Sequence, residues 1–368
     1  MEKSEVKPQT ERPQFSGMLH LSVYSKLDIL SLTKIRRFET KVGERLQVIN
    51  DVASLEKSIA DSSAKYILFG IPEDLGAKGN YGIGGADTLW VPFLQNFLNI
   101  QSNDFLDGQE VMLLGHFDFG DMQYLIDKTA KSEDEKIVAY RHAVNTIDDE
   151  VEHLVKIITE SKKLPIVVGG GHNNTYPLIK GAAKGWYKAG VIPLAQINCI
   201  NLDADADYRP MEGRHSGNSF RYADEDGYLQ KYCVVGIHEN YLPQNVWVDM
   251  VNNPFIDCIT FEDIFIHTKR TFLQSVAHAT SFTDDTLSGI DIDLDSIQNT
   301  LSSAMTPVGV TPVHARQFVS FAAADSKPAY LHICEGATRL NDGRMDATSG
   351  KLISYLVSDF VKMIESQK

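Results

Sequence analysis

Cysteine is scarce in this chain. Cys199, Cys233, Cys258 and Cys334 are the only four in 368 residues, and no two are spaced as CxxC. Each lies in an apolar, strand-like run, which reads as a buried, reduced thiol of a cytoplasmic protein, not a disulfide framework. Long apolar runs are missing too: none reaches the ~20 residues a membrane-spanning helix needs. The opening stretch MEKSEVKPQTERPQ is polar and lacks the apolar centre of a secretory signal, so residues 1–14 read as a disordered leader. Positive charge is also short. Lys and Arg number 35 against 49 Asp and Glu, a net charge of −14. That balance argues against nucleic-acid and membrane partners and favours cations as ligands. No internal repeat or low-complexity tract is present.

What is present is an alternation of strand and helix. After a mixed region to about residue 64, in which GMLHLSVYSKL suggests an edge strand or a lid, KYILFGIP (65–72) reads as a buried strand closed by Gly and Pro. EVMLLG, LPIVVGGG, LAQINCINLDAD, KYCVVGIHE, DCITFE, LSGIDIDLD and AYLHICEG read as further strands. Between them run helical patterns, the longest over 135–163, the last in SGKLISYLVSDFVKMIES with Ser349 as N-cap. The strands are continuously apolar, which predicts a parallel sheet covered on both faces by helices. Three segments follow: the leader, an extension over 15–64 and an α/β domain over 65–368. In such sheets functional groups collect at the carboxyl ends of the strands.

The unusual residues sit at those ends. In NLDADAD (201–207), Asp203, Asp205 and Asp207 alternate, so they share a face at a spacing of about 6–7 Å. SGIDIDLD (288–295) repeats the device with Asp291 and Asp293, and Asp295 follows. Uncompensated carboxylates at buried strand ends cost several kcal/mol each or stay protonated. Divalent cations remove that cost, and hard ions such as Mg²⁺ and Mn²⁺ prefer oxygen. The bland alternative, hydrated loop aspartates capping helices, accounts for one such run more easily than for two. An EF-hand is excluded, because its glycine and glutamate positions hold Tyr208 and Arg214 in one run and Ser296 and Ser302 in the other. A metal–nucleotide DxD explains only one run. A phosphoryl-transfer aspartate motif wants Thr or Val where Ala206 stands.

VVGGGHNNTYP places His172 past another strand as a candidate ligand, with a helix-cap or core role as the plain reading. Glu335 in LHICEGATR ends a further strand, and its carboxylate suits a cationic guanidino, amidino or formimino group unless Arg339 pairs with it. Arg209, Arg214 and Arg221 follow the first aspartate run. They are either forks for substrate carboxylates or partners for neighbouring acids.

In order, GGGHNN, NLDADAD and SGIDIDLD resemble the three metal signatures of the ureohydrolases, GG[DG]H, DAHxD and SxDxDxxD. GIPEDLGAKGNYGIGGA, TPVGVTP and CEGA are similar to three further segments of that family, and the likeness covers roughly 65–365. It implies a three-layer α/β/α fold around a mostly parallel, eight-stranded sheet, and a homo-oligomer, trimer or hexamer. It also implies two Mn²⁺ per subunit: His172, Asp203, Asp207 and Asp291 at one, Asp203, Asp205, Asp291 and Asp293 at the other. Asp207 would orient a bridging hydroxide and Glu335 would take the C=N end of a small-molecule substrate. Arg209, Ser216, Asn218 and Arg221 would bind the remainder of it. Asp205 stands where the family has histidine, which makes the second site all carboxylate and admits Mg²⁺ or Ca²⁺. Gly171 and the pair Phe220-Arg221 match the formimidoylglutamase pattern. The expected activity is hydrolysis of N-formimidoyl-L-glutamate to L-glutamate and formamide. The alternatives are a urea-releasing guanidino hydrolase, or a binding protein of the same fold with impaired catalysis.

Overall fold

A computed structural model describes residues 17–367; the expected leader lies outside them. Among the described residues nine strands form one sheet in the order β1-β3-β2-β4-β9-β8-β5-β6-β7. They are β1 (Leu21–Val23), β2 (Tyr66–Gly70), β3 (Val111–Phe117), β4 (Leu164–Val168), β5 (Ile197–Leu202), β6 (Leu229–Ile237), β7 (Ile256–Thr260), β8 (Ser288–Asp293) and β9 (Pro328–Cys334). Neighbours from β2 to β9 pair in parallel. These are the eight strands expected. The ninth, β1, comes from GMLHLSVYSKL and pairs antiparallel with β3 at one edge.

Each strand feeds two cores because alternate side chains face opposite ways. Ile67 and Phe69 of β2 pack with Val144, Val151 and Leu154 of the helix Glu133–Glu160. Tyr66 and Leu68 pack with Phe93 of the helix Trp90–Phe97 and Val357 of the helix Ser349–Ser366. The result is three layers. Glu133–Glu160 forms because apolar residues recur every three or four positions, and Ser132 caps it by accepting from the Glu135 N–H. Ser349 is not the cap of the last helix. It is the first helical residue, and the Asp346 carboxylate accepts from the N–H groups of Thr348 and Ser349. Of the cysteines, Cys199, Cys233 and Cys334 are buried, Cys258 is half-buried, and all are free thiols. No helix among the described residues is long and apolar enough to cross a membrane.

Register sets the site. Leu202 of β5 pairs with Ile292 of β8, and Asp293 pairs with Cys334 of β9. Asp203 therefore stands level with Asp293, not with Asp291.

Candidate metal centre

The loop after β4 brings in the histidine. Gly169 and Gly170 adopt φ of 92° and 79°. A Cβ on Gly170 would lie 2.4 Å from Asn174 Nδ2 and 2.7 Å from the Ile71 carbonyl, so only glycine fits there. The buried Glu73 carboxylate clasps this loop from the Gly-rich segment. Its Oε1 accepts from Gly171 N (3.0 Å), Asn173 Nδ2 (3.2 Å) and Asn174 Nδ2 (2.7 Å), and its Oε2 accepts from Leu75 N (2.7 Å). From the other side, Glu335 Oε1 accepts from the His172 N–H at 2.8 Å, not from Arg339.

His172 is fully buried among carboxylates. Its Nδ1 lies 2.7 Å from Asp207 Oδ2, 3.1 Å from Asp293 Oδ2 and 3.2 Å from Asp203 Oδ2. None of these contacts has hydrogen-bond geometry, and neither ring nitrogen has a hydrogen-bond partner. His172, Asp203, Asp207 and Asp293 each present a ligand atom within 4.8 Å of the others. The two strand ends share one local design. Asp203 Oδ1 accepts from the Asp205 N–H at 2.8 Å, and Asp293 Oδ1 accepts from the Asp295 N–H at 2.8 Å. Two equivalent turns thus present Asp203 with Asp205 and Asp293 with Asp295.

The electrostatics are those of an uncompensated acid cluster. Burial, then Asp293, pushes the Asp203 carboxyl well up. Burial, then Asp207 and Asp293, pushes Asp205 up to about 7. Burial, then Asp293, Asp203 and Asp205, pushes Asp295 well up, and its Oδ1 is buried without a partner. Burial, then Asp293, also raises Glu335. Two of the acids sit on left-handed backbone, Asp207 at φ 44° and Glu335 at φ 60°.

Asp291 does not join the cluster. Its Oδ1 accepts from Thr175 Oγ1 (2.6 Å) and His332 Nδ1 (2.9 Å), and its Oδ2 from Tyr330 OH (2.8 Å) and Cys199 Sγ (3.1 Å). It stays 3.6 Å from His172 Nε2. Although burial raises its carboxyl, His172 and His332 outweigh this and hold it far below the usual range. Of the expected ligands on β8, the structure thus brings Asp293 into the cluster with His172, Asp203 and Asp207, and leaves Asp291 on its own donors. A run reading D-x-D-x-D offers both registers, and its apolar partners do not choose between them. The strand pairing of β5 with β8 does.

The three arginines separate. Arg214 is buried, forks onto Asp148 with Nε to Oδ2 at 2.8 Å, donates to the Asn173 carbonyl at 2.7 Å and lies over Tyr176 and Tyr222. It braces the histidine loop. Arg221 pairs with Asp249 and Glu225 over the Tyr208 ring. Arg209 stays on the rim, with side-chain exposure of 46% and Glu212 at 3.2 Å. Asn218 is occupied inside its own loop: Oδ1 accepts from Arg214 and the His215 N–H, and Nδ2 donates to the Gly213 carbonyl. Ser216 is buried, with Asn80 Nδ2 3.4 Å from its hydroxyl. Glu73, Asp148 and Asp295 were missed as site residues. Glu73 and Asp148 bear no local motif, and Asp295 shares a D-x-D-x-D run whose register only the pairing of β5 with β8 selects.

A profile described as the arginase family matches residues 64–356. Among curated proteins, a formimidoylglutamase of Macrococcus caseolyticus is 25% identical over 214 residues, covering 58% of this chain and 65% of that protein. One of Geobacillus thermodenitrificans is 24% identical over 198 residues, covering 53% and 59%. The chain thus spans about three-fifths of the length of the curated relatives it matches. Among solved structures, a formiminoglutamase of Trypanosoma cruzi with Mn²⁺ superposes with a TM-score of 0.64 at 17% identity, covering 88% of this chain and 98% of that one. The Bacillus subtilis formimidoylglutamase gives 0.67 at 16%, covering 90% and 94%. An agmatine ureohydrolase of Thermoplasma volcanium gives 0.59 at 18%, covering 82% and 90%. At such identities the superpositions speak for the fold.

Proposed function

This chain belongs to the arginase family, and from that premise we propose that it hydrolyses a C–N bond of a linear amidine at a pair of divalent cations. N-formimidoyl-L-glutamate is the substrate that fits best, giving L-glutamate and formamide. The observation that carries this reading is the buried Nδ1 of His172, without a hydrogen-bond partner and within 3.2 Å of three carboxylate oxygens. An imidazole nitrogen and hard oxygens in one buried cluster fit Mn²⁺. His172, Asp203, Asp207 and Asp293 would hold one ion; Asp203, Asp205, Asp293 and Asp295 would hold the other. The all-oxygen second set also suits Mg²⁺ or Ca²⁺. Such ions, when bound, act as Lewis acids and bring the pKa of water towards neutrality.

The chain's own residues do the rest. Asp207 reaches into the cluster and orients the attacking water. Glu335, whose Oε1 is fixed by the His172 N–H, faces the same space and receives the N–H groups of the amidine. Arg209 lies two residues beyond Asp207 and takes a substrate carboxylate at the rim. Arg214, Arg221 and Asn218 hold that loop in shape. Ser216 lines it beside Asn80. The protein is proposed to act in the cytoplasm as a homo-oligomer, and its four free thiols support the compartment.

The test is turnover by the purified chain with Mn²⁺, offered N-formimidoyl-L-glutamate, arginine, agmatine and guanidinobutyrate. Formamide from the first is expected. Urea from any of the others displaces this reading in favour of a guanidino hydrolase. Asp205 motivates a second reading, a binding protein with impaired catalysis. No turnover together with no bound metal would establish it.

A further inference from the structure

The rim of the site holds an arrangement that neither the metal cluster nor the fold requires. Three donors converge on one oxygen, Oε1 of Glu212: Arg141 from the long helix Glu133–Glu160, and Arg209 and His215 from the loop that carries Glu212 itself. Arg209 Nη2 lies at 3.2 Å, His215 Nε2 at 3.2 Å and Arg141 Nη2 at 3.5 Å. We propose that Arg141, Arg209 and His215 form a carboxylate-binding cradle, and that Glu212 is a plug that an incoming substrate carboxylate displaces. This deepens the function proposed above and rests on it for the identity of the substrate, though not for the existence of the cradle.

The donors are pre-set. His215 Nδ1 accepts from the Gly217 N–H at 3.1 Å, so the ring proton sits on Nε2 and points at Glu212. Burial, then Arg141 and Arg209, holds the His215 pKa down at about 4, so this donor is neutral at physiological pH. Arg141 is fixed independently of the glutamate side chain, because its Nε donates to the Gly79 carbonyl at 2.9 Å and its Nη1 to the Glu212 carbonyl at 2.8 Å. Arg141 and His215 therefore keep their places when the Glu212 side chain leaves, while Arg209, whose side chain pairs with Glu212, is released to the incoming anion. Two convergent guanidinium groups and an imidazole N–H suit a planar anion of two oxygens.

The plug is loosely held. Glu212 is 40% exposed, and ion pairs of that exposure are weak. The next residue, Gly213, stands at φ 106°, where side chains other than glycine's are strained. The cradle also lies beside the reaction space. Arg209 stands two residues beyond Asp207, with its backbone N–H on the Gly217 carbonyl at 3.0 Å. In a chain of net charge −14 such a cradle also offsets repulsion between an anionic substrate and the acid cluster. A resident carboxylate keeps the three donors paired until substrate arrives. It lowers apparent affinity by the fraction of molecules in which the cradle is closed.

The experiment measures binding of L-glutamate by calorimetry to the Mn²⁺-loaded full chain, to Glu212→Gln and to Glu212→Ala. Both substitutions are expected to tighten L-glutamate roughly tenfold. Adding Arg209→Ala to Glu212→Gln should cancel the gain. Agmatine, which has no carboxylate, should not tighten. Unchanged or weaker L-glutamate binding by both variants, each folded by circular dichroism, overturns the plug. So does a gain that agmatine shares or that survives loss of Arg209. Formamide release is scored separately: a chain that hydrolyses nothing yet gains affinity keeps the cradle and loses the proposed substrate.

Discussion

Asp291 and Asp293 stand two residues apart on β8 and flank the same imidazole from opposite edges. Around Asp291 four donors close in, from Thr175, His332, Tyr330 and Cys199. Around Asp293 one oxygen accepts from the Asp295 N–H, and the other faces a histidine nitrogen without a partner, among further acids. One is a buried charge that the fold fully satisfies, which roots the floor of the site. The other belongs to a group of carboxyls whose mutual repulsion the chain alone leaves unsettled. The contrast teaches that burial does not mark function here; the lack of partners does.

That contrast can be broken most sharply at Asp293. Asp293→Asn should strip bound Mn²⁺ from the purified protein, measured by plasma mass spectrometry. Turnover should fall by more than the roughly 100-fold that outer partners of a metal site cost. The metal-free variant should melt no lower than the starting chain, because one repelling charge has gone. Full metal retention would sink the assignment. Asp291→Ala should do the reverse, costing about 3–5 kcal/mol in urea unfolding of the metal-free protein by stranding the donors around it. Lost metal with intact stability would exchange the two roles. Arg214→Lys extends the comparison to a buried cation. Loss of the fork on Asp148 should cost about 2 kcal/mol by the same measurement. Asp205→His should tighten Mn²⁺ about tenfold in competition with a chelator; equal or weaker binding removes Asp205 from the second site. The smallest effect is expected at the rim, where Arg209→Lys should raise KM for N-formimidoyl-L-glutamate a few-fold with kcat and stability unchanged.

Most of the fold was legible because continuously apolar strands and helical spacing carry it directly. The edge strand β1 was half-legible: LHLSV has the composition, but nothing local says where it docks. At the site, His172, Asp203 and Asp207 follow from the glycines and the alternating run. Asp295 was hidden by the ambiguity of its own motif, since the choice of register lies in the pairing of β5 with β8 and not in either strand. The arginines were legible in number but not in duty. Arg214 turns inward because Asp148, 66 positions earlier in the chain, meets it there, and separations of that kind leave no trace in spacing. Three of the donors to Glu73, from Gly171, Asn173 and Asn174, lie 98, 100 and 101 positions away and were invisible for the same reason.

Asp207 and Glu335, the two acids on left-handed backbone, carry a last consequence. Each such conformation costs of order 1–3 kcal/mol for a residue with a side chain, and glycine would relieve it. Selection for a sturdier molecule would drift towards glycine at both places. Five other described residues, Phe38, Tyr81, Lys162, Thr268 and Asn299, share this backbone, but only these two lie in or beside the acid cluster, where the bend aims a carboxylate. A laboratory search for heat-resistant variants should meet the same trade there, gaining melting temperature and losing the reaction.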